Sequence, residues 1–261
     1  MGKPRLCFTL LYSDGDFCLS RNFKIQKVGN LEWIKDNYEF ESISRSIDEL
    51  VILNIDRTGP TKKFIEDIRR IIDGCFMPIA IGGGIRCKED AKIFFENGAD
   101  KIVVNNALWQ NHNLVSHLAK LYGRQSIIGS LDFRKKGGVC NLFNRDIEIM
   151  PTLDEGIEII KNIGVGELLI NAIDKDGTGE GYDFEVLERI AVKTKLPLIA
   201  SGGGDSSPKL LEGIQKEYIS AVTSSHLFNF MCDGLEYARN DLMNSEVELS
   251  KWDFGELEKE I

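Results

Sequence analysis

The sequence is short of the residues from which metal and nucleotide sites are usually assembled. Its six cysteines (Cys7, Cys18, Cys75, Cys87, Cys140, Cys232) form no Cys-x-x-Cys pair, and several lie inside apolar runs. That spacing argues against a disulfide framework or thiolate cluster and favours buried free thiols in a reducing cytoplasm. The three histidines, His112, His117 and His226, give no His-x-x-x-His or His-Glu-x-x-His pair, so neither a metal nor another cofactor is expected. Basic residues occur in short runs such as Lys62-Lys63 and Lys135-Lys136, and the net charge is −9. This excludes a general binder of nucleic acid or anionic membrane. No stretch approaches the ~20 apolar residues of a membrane span, and the apolar run at the start is too short for a signal peptide. A cytoplasmic protein is the expectation. No Gly-x-Gly-x-x-Gly turn follows a strand, which counts against an open dinucleotide-binding sheet.

Present instead is a repeated alternation. Short apolar, β-branched runs recur at 6–11, 49–55, 77–81, 101–105, 126–132, 167–172, 197–201 and 219–224. Between several of them lie amphipathic segments with helical spacing. In "TKKFIEDIRRIIDG", Phe64, Ile65, Ile68, Ile71 and Ile72 fall on one face, and "KEDAKIFFENG" ends at Gly98. Eight strands alternating with helices in 261 residues predict a closed (β/α)8 TIM barrel. The halves resemble each other: "PIAIGGG" returns as "PLIASGGG" and "LVILNIDRTG" as "LLINAIDKDG", with an offset of about 119 residues. The expected organisation is one barrel over 1–240, in halves of about 1–120 and 121–240. An acidic extension over 241–261 follows, in which Leu242, Met243, Val247 and Leu249 could line a short helix.

The Gly-rich runs stand where strands leave the barrel. Backbone amides gathered there form an anion cradle that side chains would obstruct. The first half offers Gly83 and Gly84 with Asn105 and Asn106. The second offers Ser201, Gly202 and Gly203 with Ser224 and Ser225, after strands seven and eight where barrels of this class often hold phosphate. Asp176 and Gly177 add polar groups at the end of strand six. Two opposed cradles suggest a long phosphorylated small molecule with a phosphate at each end.

The segments "IGGGI", "NGADKIVVNN", "IIGSLDFRK", "GVGELLINAIDKDGTGEGYD" and "LPLIASGGG" resemble the cyclase subunit of imidazole glycerol phosphate synthase, HisF. The resemblance extends from Arg5 to about Phe230. It implies a heterodimer with a HisH-like glutaminase docked at the bottom of the barrel. Ammonia passes through the interior and enters a bis-phosphorylated ribonucleotide at the other end. It also implies two acid–base aspartates, on strands one and five. The strand-five residue matches Asp132; the strand-one residue matches Leu11, which cannot exchange a proton. Tyr12 points to the other face by strand alternation and does not replace it. A family lysine is matched by Leu19 and an aspartate by Asn54, with Asp56 two residues on. At the bottom, the resemblance implies a ring of charges acting as an ammonia gate, Arg5, Glu49, Lys101 and Glu167, and places Asp100 on the glutaminase interface.

The reading that follows is a divergent paralogue that still conducts ammonia but has lost or weakened cyclisation. Similar paralogues in surface-polysaccharide pathways pass ammonia to an ATP-dependent amidotransferase that makes acetamidino sugars. Two other readings stay open: an authentic cyclase of histidine biosynthesis, and a non-catalytic scaffold that activates a glutaminase.

Overall fold

Strand alternation sorts the apolar side chains of this chain into two layers. In the computed structural model, which describes residues 2–250, eight strands pair in parallel: β1 Arg5–Ser13, β2 Glu49–Asn54, β3 Ile79–Gly82, β4 Lys101–Val104, β5 Ile127–Lys136, β6 Glu167–Ala172, β7 Leu198–Ser201 and β8 Ala221–Ser224. β8 returns to β1, with Arg5 opposite Ala221, and closes the (β/α)8 barrel. Leu6, Phe8, Leu10 and Tyr12 point outward into the large core shared with the helices. Cys7 points inward, where Val51, Ala80, Val103, Ile128, Leu169, Ile199 and Ala221 form a separate apolar plug. The bore is therefore a packed stack of side chains, as this fold requires.

The helices are held by the patterns that predicted them. Lys62–Ile72 begins at Thr61, whose hydroxyl accepts from the Phe64 amide, and buries Phe64, Ile68 and Ile71. Each such side chain contributes about 1.5–3 kcal/mol on full burial. Asp67 on the same buried face accepts from the Tyr12 hydroxyl at 2.6 Å, which fixes Tyr12 on the outside of the barrel.

Two features depart from the expected strand pattern. β1 runs past Leu11 into an antiparallel arm, Asp16–Arg21 and Lys24–Asn30, and β5 runs past Asp132 to pair with Val139–Phe143. Sequence reading ends the two strands at 11 and 132, because the arms carry little apolar alternation. The turns explain them: Asp14-Gly15, Asn22-Phe23 and Gly137-Gly138 are two-residue connections with both central residues in the left-handed region, the geometry that suits tight hairpins. Phe23 and Phe143, one from each arm, meet edge to face at 5.9 Å.

The last described helix is Gly234–Asn244, which starts earlier than the expected extension and stops before Val247. Leu242 and Leu249 are buried, the latter without helix, while Met243 is exposed. Arg239 from this helix forms a buried bidentate pair with Asp48, at 3.0 and 3.2 Å, and Asp48 also accepts from the Leu6 amide. The remainder of the expected extension, 251–261, lies outside the described residues.

Candidate functional site

At the bottom of the bore four charges converge. They come from the first residue of each of four strands, where inward alternation begins. Arg5 bridges Glu49 and Glu167, and Lys101 Nζ reaches the same two carboxylates at 2.9 and 3.1 Å. Glu49 is 1% exposed, and its Oε1 has no hydrogen-bond partner. Burial pushes the Glu49 carboxyl above its ordinary range, opposed by Lys101 and Arg5. The ring closes the floor beneath the apolar plug. Asp100, exposed on the same rim, accepts from the Ile79 amide at 2.8 Å.

The opposite end is assembled from strand ends and loops. Asp132 on β5 accepts from Asn105 Nδ2 at 2.8 Å and from Asn171 Nδ2 at 3.3 Å. Ser201 donates to Asn171 Oδ1 at 3.2 Å, so β5, β6, β7 and the residue that follows β4 share one polar row. Burial pushes the Asp132 carboxyl up to about 6; the two amides oppose the shift and the negative charge of Asp176 adds to it. A group poised there can give or take a proton near neutral pH.

Across the mouth, Leu11 pairs in register with Leu53, as Asp132 does with Asn171. The inward alternation of β1 through Arg5, Cys7 and Thr9 puts Leu11 at the level of the carboxylate; Thr9 lower down bonds Thr223 at 2.7 Å. Asp56 is turned to the rim, where it accepts from the Ser13 hydroxyl and the Asp14 amide. Asn54 is committed to its own loop, donating to Thr58 Oγ1 and accepting from the Asp56 amide. Neither brings a second acid to the strand-one position.

Packing by itself already requires glycine in these turns. A Cβ on Gly83 would stand 2.2 Å from the Asn54 carbonyl, and one on Gly203 2.2 Å from that of Gly181. Both residues also have positive φ, 115° and 101°. The second-half turn opens as a cleft bounded by Gly202, Gly203, Ser225, Asp176 and Gly177. Ser224 is buried beside it and accepts from the His226 amide. Asp176 is occupied by the β1 arm: its carboxylate accepts from the Ser20 hydroxyl and, at 3.1 Å, from the Phe23 amide. Leu19 reaches the same cleft from that arm. In the first half, Asn106 donates to Asp146 at 2.7 Å.

Sequence reading missed Asn171, Asn144, Asp146 and Arg57. Asn171 was within reach, since inward alternation from Glu167 through Leu169 arrives at it. Asn144 and Asp146 sit in a loop with no periodicity to betray them.

A closed (β/α)8 barrel with its polar row at the strand C-termini defines the class of α/β barrels whose polar groups gather at the strand ends. Residues 33–231 match the family model described as histidine biosynthesis protein. A relative from Parasynechococcus marenigrum, provisionally named imidazole glycerol phosphate synthase subunit hisF2, is 40% identical over 256 residues, covering 97% of this chain and 95% of its own length. A similarly named Pseudomonas aeruginosa protein is 35% identical over 192 residues, covering 71% of this chain and 76% of its own. Imidazole glycerol phosphate synthase subunit HisF of Chlorobium phaeobacteroides is 32% identical over 206 residues, covering 77% and 82%. The chain belongs to the HisF family of imidazole glycerol phosphate synthase subunits. Among the described residues no helix is long and apolar enough to cross a membrane.

Proposed function

We propose that this HisF-family subunit takes ammonia from a HisH-like glutaminase at the bottom of its barrel and conducts it to an acceptor at the top. Its own cyclisation chemistry is lost or strongly weakened. The observation that carries this reading is the contrast along one bore: a four-charge ring at the floor, and at the mouth an aspartate facing Leu11 and Leu53 where the family pattern has a second acid. Paired charges of opposite sign around a narrow opening can admit a small neutral molecule when a docked partner shifts one of them. Asp100, on the exposed rim beside the ring, suits a residue of the docking surface. Cyclisation needs protons moved at two places on the substrate, and one carboxylate with an apolar wall opposite serves only one of them. The loss of one such group lowers rates by about 10² to 10⁴-fold.

The acceptor reaction falls to another protein in this reading, an ATP-dependent amidotransferase of surface-polysaccharide synthesis, in the cytoplasm. The Gly-rich turns serve as phosphate cradles for a phosphorylated small molecule. The deciding experiment supplies purified chain with ammonium salt and the bis-phosphorylated ribonucleotide, then repeats the assay with glutamine and a HisH-like glutaminase. The expected result is no cyclised product in either, with glutaminase activity stimulated by the chain and reduced when Arg5 is replaced by Ala. Turnover at the rate of a two-aspartate cyclase would overturn the loss of cyclisation. Stimulation indifferent to Arg5, Glu49 and Glu167 would instead favour a scaffold.

A further inference from the structure

Three groups at the mouth of the barrel take no part in the bore or in the Asp132 contacts: Arg57, Asn106 and the Asp146 carboxylate. Arg57 follows β2, and its carbonyl lies against the first-half Gly turn, where a Cβ on Gly84 would stand 2.3 Å from it. Its φ of 58° is left-handed, a conformation that costs a residue with a side chain about 1 kcal/mol or more. Arg86 helps hold it there by donating to the Arg57 carbonyl at 2.7 Å. The backbone of Arg57 is thus set against Gly84, and its guanidinium reaches from there to Asp146.

Asp146 arrives from the other side, on the segment that follows the β5 hairpin. Its carboxylate is ion-paired with Arg57 Nη1 and accepts from Asn106 Nδ2 at 2.7 Å. Asn144, buried, fastens that segment by donating to the side-chain oxygens of Asn105 and Asn106, both at 2.7 Å, and by accepting from the Asp146 amide at 2.8 Å. Main chain and carboxylate of Asp146 are therefore both fixed. A phosphate over Gly83 and Gly84 would call on a nearby cation and an amide donor, and here both already serve a carboxylate. It would also meet that carboxylate's like charge, which disfavours a second anion at contact distance. The second-half cleft also carries carboxylates, Asp176 and Asp205, but these accept from Ser20, Phe23 and Ser206, outside the cradle set of Ser201, Gly202, Gly203, Ser224 and Ser225.

We propose that Asp146 is a specificity-determining residue: by holding Arg57 and Asn106 it fills the first-half cradle with an internal carboxylate, so that this chain accepts a small molecule phosphorylated only at the second-half end. The proposal rests on the reading of the Gly-rich turns as phosphate cradles. It excludes the bis-phosphorylated ligands that two open cradles would accommodate.

Calorimetric titration of the full chain with inorganic phosphate tests it. Wild type is expected to bind one phosphate and Asp146→Ala two. The added site should disappear in Arg57→Ala/Asp146→Ala. Asp146→Ser, which leaves a hydroxyl donor in place of the charge, should also gain the site, binding phosphate there at least about tenfold tighter than wild type. Ser225→Asp should abolish the wild-type site and leave the gain from Asp146→Ala intact. Two phosphates on wild type, no gain in either Asp146 variant with an unchanged unfolding midpoint, or a gain that survives loss of Arg57 would overturn the proposal. If Ser225→Asp removes the wild-type site while the Asp146 variants gain nothing, the cradle reading stands and the role of Asp146 falls. If no form of the chain binds phosphate, both fall together.

Discussion

Two walls of the barrel mouth stand in matching positions and carry opposite chemistry. On one, Leu11 of β1 faces Leu53 of β2 in register; on the other, Asp132 of β5 faces Asn171 of β6. The strands are equivalent by topology, so the backbone cannot account for the difference. A barrel holds its inward positions at fixed levels and is indifferent to whether a level is polar, provided the polar groups find partners. Asp132 has Asn105 and Asn171. The leucine wall needs none, and it offers no proton-exchanging group.

The largest expected effect breaks that asymmetry. Leu11→Asp places a carboxylate opposite Asp132 but by itself leaves the first-half cradle filled. Combined with Asp146→Ala, it should raise cyclisation measured with ammonium salt by about 10²-fold or more over Asp146→Ala alone. An unmoved rate would show that the leucine wall is not what silences the reaction.

Next come the buried ion pairs, which set the floor apart from the mouth. Arg239→Leu leaves Asp48 buried without its bidentate partner, and urea unfolding should show a loss of about 3–5 kcal/mol. Glu49→Gln removes one of two carboxylates from a ring that also holds Arg5 and Lys101. It should cost somewhat less, about 2–3 kcal/mol, because both cations keep Glu167 and remain partly exposed to water. The exposed Lys62–Glu66 pair gives the contrast: Lys62→Ala should change stability by about 0.3–0.5 kcal/mol.

A smaller effect sharpens the polar wall itself. Asp132, with its carboxyl near 6, should titrate there in a carbon NMR experiment. Its folded value lies above the ordinary one near 3.8, so the folded state holds the proton longer than the unfolded chain does. Stability from this group is full below pH 4 and is lost as pH rises through 6. Partial exposure to water limits the loss to about 1–2 kcal/mol. A titration midpoint at 4 would show that the site is wetter than its packing implies.

Much of the barrel was legible in the sequence because alternation is a local property: a run such as "LLINA" reports its two faces without knowledge of its neighbours. The helix over Lys62–Ile72 was legible for the same reason. The arms beyond Leu11 and Asp132 were not, since their pairing depends on turns such as Asn22-Phe23, whose left-handed geometry is held by contacts with Asp176 and Ile173 far along the chain. At the floor, the four charges could be named singly from the family resemblance, and strand alternation then carries them to one level. At the mouth, Asn144 and Asp146 were invisible, because nothing in "NRDIE" says that its side chains reach Asn105, Asn106 and Arg57.

The sequence by itself determined the eightfold alternation and the near repeat of its halves, each carried by residue type and spacing, and it set Leu11 where the family resemblance implies an acid. Only the tertiary structure decided which carboxylates share a bore, that Asp176 is tied to the β1 arm, and that Asp146 lies on Arg57. Those facts belong to contacts between loops distant in sequence, and such contacts exist only once the barrel has closed and brought its strand ends to one rim.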